Sequence, residues 1–469
     1  MATAHPPQPA PAPRTPSSRL NLDLWSKDLG REHGFEPLTI EGTLPAGLRG
    51  TLYRNGPGQF GQFGKRYSHS FEGDGAVTAI RIGDGRAHGA SRLTRTAGLT
   101  DERAAGKLLY GTSAPWLTRM RNGLRGRNKN TANTSVMLWQ GRLLALMEGG
   151  KPTELDPGDL AMIGETDLGA ITSMFSAHPH RVEARKAFYN FGLSYGRVTK
   201  LHMYELPDEG AARQLGTIEL AGPPMLHDFI ATETHLIFFV SPVRIDIPRA
   251  LLAIGGFDKL VRWKPELGTE VICVPIDRPG EPVRFTVDAF YQWHFANAYG
   301  MGGELVVDYV RYPTFDTFYD IGAYSRGENR SALSAGRYHR ARIDLAARTL
   351  VTEQRSDRAC EFPTLAPGTQ GRPHAVTYGV FDDLQAIGAI DRAGKVTAHQ
   401  LPADQRATEP LYVDGHVLAL CHAHDRAFVA VYDAARIPDG PVAKLWIDHH
   451  VPITFHGTFH GTFHATSAS

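Results

Sequence analysis

The stretch VPITFHGTFHGTFHATSAS places His456, His460 and His464 four residues apart, each behind the same Thr-Phe pair. Neutral imidazole is the commonest metal-binding side chain, so the spacing raises metal chemistry at once. A zinc-type helix is disfavoured by the neighbours, because Thr, Phe and repeated Gly are poor helix formers that favour extended chain. In a strand, positions four apart share a face, so one imidazole can point inward while the others run on toward the terminus. A solvated repetitive tail explains the same residues unless other segments supply more ligands.

Four segments change that balance: SAHPH around His178, MLHDFIATETHLIFF around His227, YQWHFANAY around His294 and VPITFHG around His456. Each sets a histidine at or near an expected strand end, and the intervals of 49, 67 and 162 residues let four separate parts of a β-structure contribute. Four neutral imidazoles make a nitrogen-only site suited to Fe, Zn or Cu, and an octahedral ion would keep two positions open. The second members of the His-x-His pairs, His180 and His424, read as hydrogen-bonded structural residues, as does His422.

The elements that must position these residues are β-strands. Short runs such as TLYRNG, AVTAIRI, THLIFFVSP, EVICVPID and ELVVDYVRY alternate with Gly, Pro, Asn and Asp, and VMLW-Gln-Gly-RLLAL reads as a hairpin. Helical periodicity is confined to two candidates, near 100–126 and 248–263. The expected class is all-β, and for 469 residues without an internal linker a propeller accommodates the length best, although no strict repeat marks its blades. Residues 1–20, rich in Pro and Ala, read as a disordered leader ahead of a single domain, 21–469. A formal charge of +1 gives no electrostatic reason to expect a nucleic-acid partner, and three scattered cysteines suit a reducing compartment.

Two motifs mislead. GPGQFG fits the dinucleotide-binding glycine pattern, but QFGKRYSHSF after it is no helix. GLSYG around Ser194 fits a nucleophile elbow, yet RVTKLHMYEL after it reads as a returning strand, which predicts a hairpin turn.

The ordered pieces GTLYRNGPG (50–58), HSFEGDGAV (69–77), KNTANTSV (129–136), LLALMEGGKPTELDP (143–157), the four histidine segments, CEFPTL (360–365) and TEPLYV (408–413) resemble the carotenoid cleavage oxygenases. These are nonheme iron enzymes that split conjugated double bonds with O2, and the text is most similar to their bacterial apocarotenoid-cleaving branch. The resemblance implies a seven-bladed β-propeller, capped by loops and short helices, with one Fe(2+) per chain on its axis held by His178, His227, His294 and His456. The family pattern of Val-Pro, a spacer and His-Gly selects His456, leaving His460 and His464 as tail residues. Glutamates that take the second ring N–H of such ligands have their counterparts in Glu148, Glu361 and Glu409. Thr134 falls where the family sets a small residue beside the open side of the iron. Gly300, after Tyr299, departs from the acidic residues common there, which bears on the local loop.

The implied reaction uses O2 as co-substrate to cleave a C=C bond of an apocarotenoid or carotenoid into two carbonyl products. The rival within the family is a stilbene-cleaving dioxygenase of the lignostilbene or resveratrol type, whose members hold the phenol with a Tyr and a Lys. Lys129 is present, but Leu99 stands where that Tyr is wanted and Tyr110 is the nearby substitute. A noncatalytic binding propeller is the reading from another class, and the three glutamates beside four histidines speak against it. Because a polyene is insoluble, peripheral membrane contact is expected through 114–129, where Trp116 and Leu117 stand among Arg119, Arg121, Arg125, Arg127 and Lys129, and through an apolar helix at 248–263. The expected compartment is the cytoplasm, with that contact at its membrane.

Overall fold

The computed structural model describes residues 19–252, 254–328 and 333–461. Of the expected leader, residues 1–18 lie outside the described residues, and so does His464.

Turn chemistry explains most of the hairpins. Ser135–Trp139 and Arg142–Leu146 pair across Gln140 and Gly141, both at positive φ (49° and 78°), the turn whose twist matches that of the strands it joins. The GLSYG segment turns Ala187–Ser194 back onto Thr199–Pro207, so Ser194 sits in a hairpin, as predicted. GPGQFG lies in and just after the strand Gly50–Gln59.

The class is all-β: the sheets of four or more strands are antiparallel, and five α-helices occur among the described residues. Three sheets have four strands, spanning Ser135–Glu165, His180–Leu220 and Ile230–Val287. A seven-stranded sheet follows, in which the long strand Thr349–Thr364 pairs with Arg337–Asp344 along its first part and with Val376–Phe381 along its last. The remaining two sheets interlock the chain ends. His456–His460 adds to Gly50–Gln59 in the first sheet, and Thr39–Gly42 adds to Ala443–Ile447 in the last.

Continuous apolar runs arise because sheets are covered on both faces. In His235–Val240, Leu236, Phe238 and Val240 pack on the 180–220 sheet, whereas Ile237 and Phe239 pack on strands 291–312. The last sheet behaves alike: Val417 and Ala419 meet Val380 and Ile387, while Leu418 and Leu420 meet Leu52 and Ile80 of the first. Each such side chain contributes about 1.5–3 kcal/mol by leaving water.

The helices are α1 (Arg19–Ser26), α2 (Ala97–Ala105), α3 (Trp116–Leu124), α4 (Ile247–Leu251) and α5 (Asp316–Ser325). The candidate near 100–126 is two helices, parted where Gly106 takes the left-handed conformation (φ 63°) that caps α2. The candidate at 248–263 is not one helix. It is α4, a single 3-10 turn at Phe257–Lys259 and the strand Val261–Trp263, broken at Gly255 (φ 86°). The helix α5, buried along most of its length, carries no helical signal in its residues, because its Thr, Tyr and Gly content is not helix-forming.

Pairing of the last strand with Gly50–Gln59 depends on close backbone approach. A Cβ on Gly56 would stand 2.3 Å from Ile453 O, in the segment leading into the last strand. Gly56→Ala is expected to cost about 2 kcal/mol or more and to lower the thermal midpoint, while Gly164→Ala, where a Cβ meets nothing within 4 Å, leaves it within about a degree. Calorimetry on the two variants checks this.

Candidate metal centre

His178, His227, His294 and His456 come from four different sheets or the loops entering them. His178 precedes His180–Val182, its N–H donating to Ser176 Oγ (3.2 Å), and Ser176 Oγ in turn donates to His227 O (3.4 Å). His227 lies just before Ile230–Ala231. The adjoining Asp228 carboxylate accepts from Phe229 N (2.8 Å) and Phe295 N (3.0 Å) and pairs with His180 Nε2 (2.8 Å). The pair His178 and His180 is thus divided: the first enters the cluster, and the second holds the aspartate that ties two neighbouring histidine segments together. His294 sits in Tyr291–Met301 where the register shifts between Gln292 and Phe295, and such irregularities re-aim side chains. His456 opens its strand opposite Asn55, and its N–H reaches Thr134 O (3.3 Å).

The rings converge. Their centroids lie 4.3 Å apart for His178 and His227, 5.2 Å for His227 and His294, 4.6 Å for His294 and His456 and 4.7 Å for His178 and His456. His178, His227 and His294 each bring one nitrogen within 4.8 Å of the others, a set that could hold a metal ion. All four are buried or nearly so.

Carboxylates stand behind the rings. Glu361 Oε2 lies 2.5 Å from His294 Nδ1, and Glu409 Oε1 lies 2.8 Å from His456 Nδ1. Glu148 Oε1 touches His227 Nδ1 and stands 4.0 Å from His178 Nε2. On His294 and His456, an Nδ1–H donated to glutamate leaves Nε2 as a bare lone pair. Nε2 of His227 and Nε2 of His294 then face each other at 3.4 Å, and His178 Nε2 is buried without a hydrogen-bond partner. Lone pairs pressed together in a buried space repel unless a cation stands between them, so the donor set fits a metal ion.

Burial and neighbouring charges pull these rings in different directions. Burial, then the neighbouring imidazoles, push His178 well below the usual histidine range, and burial outweighs the Glu409 carboxylate in lowering His456. Burial also works to lower His294, but the Glu361 charge and hydrogen bond leave it raised. Burial works to raise Glu409, yet His456 and Arg54 keep it below the ordinary carboxylate range.

Arg54, which the sequence reading passed over within GTLYRNG, explains that placement. Only 1% exposed, it donates from Nη1 to Glu409 Oε2 (2.7 Å) and from Nη2 to Phe455 O (2.9 Å), and Gly457 N–H also reaches Glu409 Oε2 (2.9 Å). A charged residue in the middle of a strand buried along all but its last residue was the available signal. Glu361 is held by Tyr312 OH (2.8 Å) and Phe362 N (2.5 Å), and Phe362 stacks on His294 at a left-handed φ of 52°.

The cluster opens into a cavity of about 600 Å³, in the range of small-molecule sites. Phe71, Trp293, Leu193, Met225, Phe257 and Phe455 give it apolar walls, Thr134 and Glu148 line it beside the histidines, and α3 and α4 border it. Other candidates go elsewhere. His460 ends the last strand opposite Thr51, four residues beyond the cluster, and so lies in a paired strand and not in a tail. His422 Nδ1 bonds Val451 O (2.9 Å). Ser194 Oγ meets His202 Nε2 (2.9 Å), but the other nitrogen of His202 faces Thr217 Oγ1 (3.1 Å) and no acid.

The match to known proteins is extensive. The family model described as retinal pigment epithelial membrane protein matches residues 28–461. An apocarotenoid-15,15'-oxygenase of Synechocystis sp. is 33% identical over 93% of both chains. Resveratrol cleavage oxygenase 1 of Chaetomium globosum is 31% identical over 64% of this chain and 51% of its own. A crystal structure of cobalt-substituted Synechocystis ACO superposes with a TM-score of 0.86 at 31% identity, covering 96% of this chain and all of the other. With the family model spanning almost its whole length, the chain belongs to the RPE65, or carotenoid oxygenase, family.

Proposed function

We propose that this protein is a nonheme Fe(II) dioxygenase that cleaves a conjugated C=C bond of an apocarotenoid or carotenoid with O2, giving two carbonyl products. One observation carries the reading: buried imidazoles, two of them hydrogen-bonded to carboxylates, bring their nitrogens together beside an apolar cavity. His178, His227, His294 and His456 would hold one Fe(2+) per chain, with Glu148, Glu361 and Glu409 fixing the rings from behind. Bound iron would supply the O2 chemistry, and the chain's own residues do the rest. Phe71, Trp293 and Phe455 exclude water and lay the polyene against the cluster, and Thr134 narrows its open side. No side chain is needed as nucleophile, in keeping with Ser194 lying in a plain hairpin.

The stilbene reading is the rival, and the surroundings of Lys129 weigh against it. Lys129 Nζ is taken up by Asp74 (2.5 Å) and Glu102 (2.7 Å), both almost fully buried, while Leu99 is 0% exposed and Tyr110 OH turns to Asp101 (3.3 Å). A phenol would have to break a buried ion pair to reach that lysine, a costly exchange.

The finer architecture is also part of the proposal. Divided at Thr349–Thr364, the sheets make seven four- or five-stranded units, each covered by its neighbours and the last locked to the first, which supports a seven-bladed propeller. Among the described residues no helix is long and apolar enough to cross a membrane. Trp116, Leu117, Leu124, Leu251, Leu252 and Ile254 are nevertheless exposed on and beside α3 and α4, among Arg121, Arg125 and Arg127. This surface, in 114–129 and 248–263, supports peripheral docking of a cytoplasmic protein to an anionic bilayer.

Three outcomes test these statements. Purified protein should carry close to one iron per chain and release aldehyde from an apocarotenal but not from a hydroxystilbene; the reverse selectivity would install the rival. Glu409→Gln and Glu361→Gln should each weaken iron binding by roughly 10–100-fold in a chelator competition. Trp116→Ser with Leu117→Ser should abolish sedimentation with phosphatidylglycerol vesicles; unchanged binding removes the docking surface.

A further inference from the structure

The cavity has two chemically different ends. α3 has no buried residue, so the side chains it lends to the cavity, Arg119 and Asn122, mark the surface end, opposite the imidazole floor. Arg119 is half-buried there and uses one of its five N–H groups, Nη2 donating to Gly255 O (2.9 Å). Among the described residues it forms no ion pair. The one acid acting on it through space is Glu72, whose carboxylate is already held by Ser68 Oγ (2.7 Å), Thr112 Oγ1 (2.7 Å) and Thr112 N–H. Lys129, the neighbouring cation on the wall, is neutralised by its two acids, Arg127 joins the lining but is exposed to water, and Arg121 and Arg125 do not join it.

A half-buried guanidinium beside apolar walls, with most of its donors idle, is costly unless something arrives to use them. Its planar fork fits a carboxylate in two parallel hydrogen bonds, which a methyl terminus cannot form and an aldehyde forms only singly. We infer that Arg119 is a specificity-determining residue that binds the carboxylate of a polyene acid at the cavity mouth, making apocarotenoids with an oxidised, anionic terminus the preferred substrate class. This rests on the polyene-cleaving function proposed above. The polyene then runs from Arg119 along the apolar walls to the histidines, so the carboxylate also sets which double bond meets the cluster.

The test uses the full chain in neutral detergent micelles, which removes anionic lipid as an alternative partner for Arg119. Binding of polyenes of equal length ending in carboxylate, aldehyde or methyl is read by quenching of tryptophan fluorescence, since Trp25 and Trp293 line the cavity. The acid should bind at least about tenfold tighter than the methyl compound. Arg119→Met should erase that ratio, Arg119→Lys should keep part of it, and Arg121→Met should leave it unchanged. Equal binding of all three polyenes by the parent protein overturns the inference. So does an Arg119→Met variant that weakens all three alike, because that would reduce Arg119 to a brace for the Gly255 loop. Initial rates on the iron-loaded protein separate the two layers: an acid bound tightly but never cleaved sinks the dioxygenase reading alone, and an aldehyde cleaved without any preference for the acid sinks this inference alone.

Discussion

Imidazole nitrogens crowded into a buried space repel one another, His178, His227 and His294 each bringing one within 4.8 Å of the others, and much else in the structure serves to make that arrangement tolerable. The Nδ1 atoms of His294 and His456 are hydrogen-bonded to carboxylates, so on those rings the protons sit outside and the lone pairs inside. Those carboxylates are themselves pinned, Glu409 by Arg54 and the Gly457 N–H, Glu361 by Tyr312 and the Phe362 N–H. A glutamate free to rotate would let its histidine swing or change tautomer, and the cluster would relax by turning a nitrogen away. The proposed ferrous ion converts that repulsion into binding energy.

Such an arrangement needs a rigid frame, because each histidine arrives on a different stretch of chain. Sheets covered on both faces move little, since a shift on one face is resisted by the side chains on the other. The interlocking of first and last sheets extends this to His456, whose strand pairs with Gly50–Gln59 while its ring is held by Glu409. Irregular backbone occurs at the site, in the register shifts around His294 and after Glu361 and in the left-handed Phe362. Regular strands cannot turn successive side chains toward one axis, and these local departures do so.

Much of this was legible in the residues. Apolar runs bounded by turn residues marked the strands because both sheet faces are buried, and Gln140–Gly141 marked its hairpin because the turn demands positive φ. The histidines were legible through the order of their motifs and not through their spacing: of the two described histidines in the regular TFHG repeat, His456 joins the cluster and His460 lies four residues further along the strand. Arg54 was missed because its partner Glu409 lies 355 residues away. The stretch at 248–263 was read as one helix because its apolar residues outweighed Gly255 and Gly256, and α5 was overlooked because tertiary burial overrides its weak helical tendency.

The central claim is that four imidazoles meet at a single ferrous ion. Anomalous diffraction from crystals of the iron-loaded protein, collected on both sides of the iron edge, tests it most directly. The account predicts one peak per chain at about 2.0–2.2 Å from a nitrogen of each of His178, His227, His294 and His456, with Glu148, Glu361 and Glu409 beyond bonding distance. A peak bound by fewer of these histidines, or by one of the glutamates, would contradict it.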